Sequence, residues 1–323
     1  MNFTLSAEQE LLVTTLRDLL ARECPPALLR AHWEDRQAQE PLWRHLRSFV
    51  ELADGPAVDA ALAAGELGYA AAPGPLTASL LAGPFLAATG RSDETVTLAA
   101  ARPDGAWVPH DDPERIQVLD ADLVALVIAP AADGTLRAVP PGAAAPDETV
   151  DGTRRQFHLT VGPDAEVVGH LDPDRLTAAL RRAVVLLAAE LCGTTRRICD
   201  LTLAHVRTRV QFDVPIGSFQ AVQHACVDMS LELERAWSAA CWAAMAVDAD
   251  DPDAARATHV AKAAAGQAAR RAVRTGIQLH GGIGYTWEHD LHLFLRRALA
   301  AEPLGGNTGW HLDRLGDLLF AAR

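Results

Sequence analysis

The stretch QLHGGIGYTWEHDLHLFLRRA, Gln278–Ala298, holds three glycines close together, a glutamine ahead of them and an arginine pair near its end. Glycines gathered this way let main-chain N–H groups approach another body with no Cβ in the way. The residues before it, from beyond Asp251-Pro252 to Leu279, carry the apolar spacing of one long helix, and a further helix is predicted after Thr286. The stretch is therefore a break between two helices, shaped for contact with something else.

Working back from it, RVQFDVPIGSFQAVQHACVDM, Arg209–Met229, forms a second break. Pro215 and Gly217 interrupt any helix in its first half. In its second half Phe219, Val222, Cys226 and Met229 share a helical face that is expected to be buried. Gln220 and Gln223 lie three apart, where they could meet a partner. The helix that follows runs past Trp242. The one before it starts at LDPDRL, with Asp172 as N-cap and Pro173 at the first helical position. Four long helices with short connections predict an antiparallel bundle over 171–323.

Upstream the texture changes twice. Between about Ser92 and Val168 the apolar runs are short and cut by Pro, Gly and Asp. LVALVIAPAADGTLRAVP reads as a hairpin turning at Asp133-Gly134, and TRRQFHLTV as another strand. This is a small β domain, 91–170, with no nucleotide-type glycine loop. Residues 1–90 are helical: Ser6 and Gln9 make a capping box, and Leu11, Leu12, Leu16, Leu19 and Leu20 repeat at helical spacing until Cys24-Pro25-Pro26. Further helices are expected over PLWRHLRSFVELA and PAVDAALAAGELGYA, and a short one after APGP. The fold class is α+β multidomain: N-terminal helical domain, small middle β domain, C-terminal four-helix bundle.

Composition narrows the function. At 323 residues and 49% hydrophobic, the chain can fill two or three cores. A formal charge of −13 is unsuited to phosphate-rich nucleic acid. No uncharged apolar run reaches membrane-spanning length, and the first residues lack a secretory pattern, so a cytoplasmic location is expected. Five cysteines show no metal-type spacing and are read as reduced thiols.

The two breaks together resemble the acyl-CoA dehydrogenase family, and the helical–β–helical order agrees with it over most of the chain. Without the second motif, Arg209 would read as a solvated residue at a helix C-terminus, favoured by the dipole. The resemblance implies FAD, with both motifs reaching across a subunit interface to hold the ADP half of a cofactor bound chiefly by a neighbour. Carried over residue by residue, Arg209, Gln211 and Phe212 match the first motif, and Gln278, Gly281 and Gly282 the second. The types suit the task. A guanidinium is a fixed bidentate donor for phosphate, and a glutamine both donates and accepts. Asp213 stands where the family usually has glycine.

The family reaction requires a carboxylate base for the α-proton of an acyl thioester. At the two positions where members carry it, this chain has Gly305 and Ala183. Glu302 is the nearest substitute, with Glu190 behind it; otherwise both are ordinary surface or interface carboxylates. His280 and His224 lack an orienting carboxylate and are read as packed or capping residues, so no catalytic residue and no metal ligand is assigned. The flavin-side motifs of the middle domain are missing too, and the chain is short for the family. In this it resembles the β-type subunit of actinobacterial α2β2 heterotetrameric acyl-CoA dehydrogenases of steroid and cholesterol catabolism. That implies a base-bearing partner subunit and an acyl-CoA substrate. Trp237 and Trp242 would suit an interface. Two other readings stay open: a self-sufficient homo-oligomeric flavoenzyme using a base such as Glu302, and a flavin-free scaffold of the same fold.

Overall fold

Ser6 caps the first helix as its sequence requires: its side chain accepts from Gln9 N–H at 3.2 Å while Gln9 reaches back to Ser6 N–H at 3.1 Å. The computed structural model describes residues 3–91, 94–100, 105–107, 116–162 and 164–321. The expected start of the β region at Ser92 lies outside them. The N-terminal helices are α1 (Ala7–Glu23), α2 (Pro26–Glu34), α3 (Glu40–Leu46), α4 (Ala57–Ala70) and α5 (Leu76–Ala87). Cys24-Pro25-Pro26 ends α1 and also starts α2, because Pro26 occupies the first turn, where its missing N–H costs nothing. The helix expected over 41–53 is α only to Leu46 and continues as a 3-10 turn through Arg47–Ala53.

The middle region is two small sheets. One has the order β1-β3-β4-β7, built from β1 (Val96–Leu98), β3 (Leu126–Pro130), β4 (Thr135–Val139) and β7 (Glu166–His170). The expected hairpin is β3–β4, antiparallel with Ile128 opposite Ala138; β1 joins β3 in parallel. The other sheet has the order β2-β6-β5, from β2 (Ile116–Leu119), β5 (Ala145–Pro146) and β6 (Gln156–Leu159). Ile116, Val118, Phe157 and Leu159 meet Val127 and Val139 in a core of their own.

The C-terminal helices are α6 (Pro173–Thr208), α7 (Gln220–Asp248), α8 (Ala254–His280), α9 (Leu291–Ala301) and α10 (Thr308–Ala321). Asp172 accepts from Arg175 N–H at 3.0 Å and Pro173 opens α6. The single helix expected after Thr286 is two, α9 and α10. Pro303 follows α9, and Gly305 and Gly306 take φ of 74° and 101°, where a helix cannot continue. Among the described residues, no helix is long and apolar enough to cross a membrane.

One hydrophobic core runs from Leu16 through α4, α6 and α8 to Leu304. α4 and α6 approach so closely that a Cβ on Gly68 would lie 2.0 Å from Glu190 O, and one on Gly193 1.9 Å from Gly65 O. A buried ionic network ties the β region to this core. The Glu190 carboxylate accepts from both terminal nitrogens of Arg154 and from Arg297 Nη1 at 3.1 Å. Arg297 also bonds Asp151 at 2.6 Å and Thr153 Oγ1 at 2.7 Å.

Candidate functional site

α6 ends at Arg209, whose N–H still donates to His205 O at 2.8 Å while its own carbonyl accepts from Ile216 N–H at 2.8 Å. Between these bonds the chain makes a two-residue hairpin, β8 (Val210–Gln211) against β9 (Val214–Pro215). Its turn residues Phe212 and Asp213 have φ of 55° and 65°, both left-handed, as a tight hairpin of matching twist demands. This explains Asp213 in a glycine position: aspartate is among the few side chains that visit this region readily. Phe212 pays a steric penalty there and is left 86% exposed, its ring edge-on to Phe219 at 6.1 Å.

The second motif begins where α8 ends. Gln278 is exposed, and Gly281 caps the helix at φ 62°. A Cβ on Gly281 or Gly282 would meet nothing within 4 Å. Gly281 is therefore required by its backbone angle. Gly282 has no such angle and nothing in its own chain that crowds it. The two motifs lie at one end of the helical region, because the rings of His205 and His280 stack at 4.2 Å and hold the ends of α6 and α8 together. All six residues, Arg209, Gln211, Phe212, Gln278, Gly281 and Gly282, are exposed. Among the described residues, no carboxylate pairs with Arg209. The same two stretches expose the apolar side chains Val210, Val214, Ile283 and Tyr285. An exposed cation, two open glycines and nearby apolar side chains fit a phosphate-bearing cofactor with an aromatic base.

The α7 face differs in part from expectation. Cys226 and Met229 are buried, but Phe219 is 39% exposed, and Val227 and Leu231 on the adjacent stripe face outward. Gln220 and Gln223 are exposed. Trp237 packs inside the chain against α4, where a Cβ on Gly65 would lie 3.0 Å from its ring. Trp242 is half-buried, with the Arg256 guanidinium 5.8 Å from its ring.

The two possible base positions converge in space. Ala183 is fully buried on α6, and a Cβ on Gly305 would lie 3.0 Å from Leu187 and 3.3 Å from Val184 one turn on. The turn is held rigidly. Gly306 N–H donates to Gly105 O at 2.8 Å, Lys262 Nζ donates to Gly306 O at 2.9 Å, and His311 Nε2 bonds Gly305 O at 2.9 Å. Lys262 is fully buried, and burial pushes it down to about 8 against the pull of Glu302.

Glu302 and Glu190 are not surface or interface carboxylates; both are buried, Glu302 at 8% and Glu190 at 1% exposure. Glu302 Oε1 accepts from Thr308 N–H at 3.0 Å, Thr308 Oγ1 at 2.7 Å and Arg270 Nη2 at 2.8 Å. Burial alone would push this carboxyl up, but the Thr308 bonds and the Lys262 and Arg270 cations outweigh it and hold it below its ordinary value. Glu190 is likewise held low, its two arginines overcoming complete burial. Each is an acceptor locked in place, the opposite of a free base. His224 is exposed. His280 is packed as expected, its Nδ1 on Gly276 O at 2.8 Å, but it is not alone: His205 and His289 surround it. Separations of 75 and 9 residues gave no sequence signal for that cluster.

The chain belongs to the acyl-CoA dehydrogenase family, whose members are oxidoreductases. Residues 175–320 match the family's C-terminal domain, described as "Acyl-CoA dehydrogenase, C-terminal domain". Its relatives include acyl-CoA dehydrogenase IpdE2 of Mycobacterium tuberculosis, 37% identical over 92% of each chain. The IpdE2 of Mycolicibacterium smegmatis is 34% identical, over 98% of this chain and all of that one. Among solved structures, the ChsE4-ChsE5 complex from Mycobacterium tuberculosis matches with a TM-score of 0.80 at 23% identity, over 99% of both chains. The Tcur3481-Tcur3483 steroid acyl-CoA dehydrogenase variant matches with a TM-score of 0.80 at 24% identity, again over 99% of both. At these identities the two structures establish the fold.

Proposed function

We propose that this chain is the base-lacking subunit of a heteromeric, FAD-dependent acyl-CoA dehydrogenase that introduces an α,β double bond into an acyl-CoA. One observation carries the reading. The chain keeps an open, exposed platform at Arg209 and Gln278–Gly282, and fills the base position with Gly305, Ala183 and a turn locked by Lys262 and His311. A platform without a base suits a subunit that completes a neighbour's site. Two fold neighbours, ChsE4-ChsE5 and the Tcur3481-Tcur3483 steroid acyl-CoA dehydrogenase, are pairs of chains, which supports a heteromer and favours a steroid-CoA substrate.

In this reading the platform belongs to the third of three domains, 1–90, 91–170 and 171–323. Bound flavin supplies the acceptor for the substrate's β-hydride. The partner subunit supplies the carboxylate for the α-proton and most of the acyl pocket. Arg209 offers its two-pronged guanidinium to the cofactor's pyrophosphate. Gln278 and the main-chain N–H groups of Gly281 and Gly282 bind beside it, and Phe212 with its apolar rim covers the adenosine. Gln211 lies in the hairpin that aims Phe212. The outward Val227 and Leu231 stripe on α7 gives the partner an apolar surface.

The test is Arg209→Ala in the co-expressed complex. FAD retention should fall while this subunit keeps its circular dichroism and its partner. An unfolded variant would make Arg209 structural, and unchanged retention would remove the platform from the account. Absence of flavin in every preparation would favour the scaffold reading.

A further inference from the structure

We propose that His205, His280 and His289 form a binding site for a divalent transition-metal cation of the zinc class, joining the ends of α6 and α8 to the start of α9. His205 lies in the last turn of α6, His280 closes α8, and His289 stands two residues before α9. Each offers one ring nitrogen, and these three atoms lie within 4.8 Å of one another. The ring centroids are 4.2 Å apart for His205–His280, 4.7 Å for His280–His289 and 6.1 Å for His205–His289. Metal–nitrogen bonds of about 2.0–2.1 Å in a tetrahedron place ligand nitrogens roughly 3.3 Å apart. Coordination therefore requires the two half-buried rings, His205 and His289, to rotate toward His280.

His280 points to a ligand most directly. Its Nδ1–H donates to Gly276 O at 2.8 Å, which leaves the lone pair on Nε2. That Nε2 is buried without a hydrogen-bond partner, in a residue only 6% exposed, beside two other imidazoles. A ring fixed through one nitrogen to a backbone carbonyl, with the other bare and inward, is how metal-bound histidines are commonly held.

The surroundings favour a cation. His205 and His280 sit at helix C-termini, where unpaired carbonyls carry partial negative charge. Arg209 opposes this near His205. Of the other charged groups, Asp290 is paired with Arg30 at 2.8 Å. Leu291 N–H donates to His289 Nδ1 at 3.1 Å, so binding through this ring exchanges one hydrogen bond. Leu291 opens α9 and is fully buried, so its N–H gives up this acceptor on binding, a cost that the metal–nitrogen bond must exceed. Three imidazoles with no thiolate or carboxylate select Zn2+, Co2+, Ni2+ or Cu2+ over Mg2+ and Ca2+. The site stands apart from the cofactor reading, although it would stiffen the elements that carry Arg209 and Gln278.

The experiment uses the untagged full chain, stripped with chelator and titrated with Co2+, with Zn2+ as competitor. Visible d–d absorption and elemental analysis report binding. About one metal per chain is expected, with a higher Tm. His289→Ala and His205→Ala should lose at least the roughly 10- to 100-fold in affinity that loss of a mere outer-shell partner costs. His280→Ala should abolish binding. His289 is half-buried, so its variant reads the site even if the His280 variant fails to fold. His259→Ala, at a separate histidine pair, should bind as the wild type does. No tight Co2+ binding by the wild-type chain overturns the proposal, as does wild-type affinity in the His205 and His289 variants.

Discussion

Replacing Glu302 with glutamine separates a structural carboxylate from a catalytic one. Its Oε1 accepts from Thr308 N–H and Oγ1 and from Arg270. A glutamine oxygen keeps the two Thr308 bonds and loses the charge facing Arg270 and Lys262. The Arg270 side chain is 56% exposed, so that pair contributes about 1 kcal/mol at most. Buried Lys262 keeps its bonds to the Glu302 and Gly306 carbonyls, so losing the nearby charge adds a similar amount, and the expected loss of stability is about 1–2 kcal/mol. A general base instead contributes roughly 10²- to 10⁴-fold to rate, or about 3–5 kcal/mol of activation free energy. Urea denaturation and steady-state kinetics of the assembled complex read the two quantities separately. A lower denaturation midpoint with kcat within about threefold of wild type is expected. A fall in kcat of about 100-fold or more at unchanged stability would show that Glu302 removes the proton and is more than a structural acceptor.

Three further outcomes follow from the same packing. Glu190→Gln leaves Arg154 and Arg297 buried with one charge fewer to face and should cost about 3–5 kcal/mol in chemical denaturation; a loss near zero would mean water reaches the network. His311 is 1% exposed, and burial, with Lys262 and His259 beside it, pushes its pKa down to about 3. A depressed histidine is neutral in the fold and protonated in the unfolded chain below about 6.5. Its contribution is therefore present above that pH and lost toward 3, at about 1.4 kcal/mol per pH unit. His311→Gln should flatten the acid side of the stability curve by that slope, and parallel curves would contradict the shift. Gly305→Glu should not create activity in the isolated chain, since the new Cβ would meet Leu187 at 3.0 Å and Val184 at 3.3 Å; turnover by that variant would show that only the carboxylate was missing.

What the sequence made legible was local. The Ser6–Gln9 box, the Asp172-Pro173 start of α6 and the β3–β4 hairpin are each written in neighbouring residues. The family motifs belong with them, being contiguous stretches at helix ends. Proline was ambiguous, since Pro25-Pro26 reads equally as the end of one helix and the start of another. Long-range charge was not legible at all. Nothing near Glu190 in sequence announces Arg154 and Arg297, and it reads as one more charge on a helix that also carries Arg181, Arg182, Arg196 and Arg197. The same holds for the three histidines, each unremarkable among its own neighbours.

The central claim is that this chain holds a cofactor for chemistry done elsewhere. Flavin content per subunit tests it most directly, measured for the chain alone and for its complex with a base-bearing acyl-CoA dehydrogenase subunit. The account predicts almost no FAD and no activity alone. In the active complex it predicts one FAD for each pair of unlike subunits. One FAD per chain in a preparation of this protein alone, with turnover of an acyl-CoA, would contradict it.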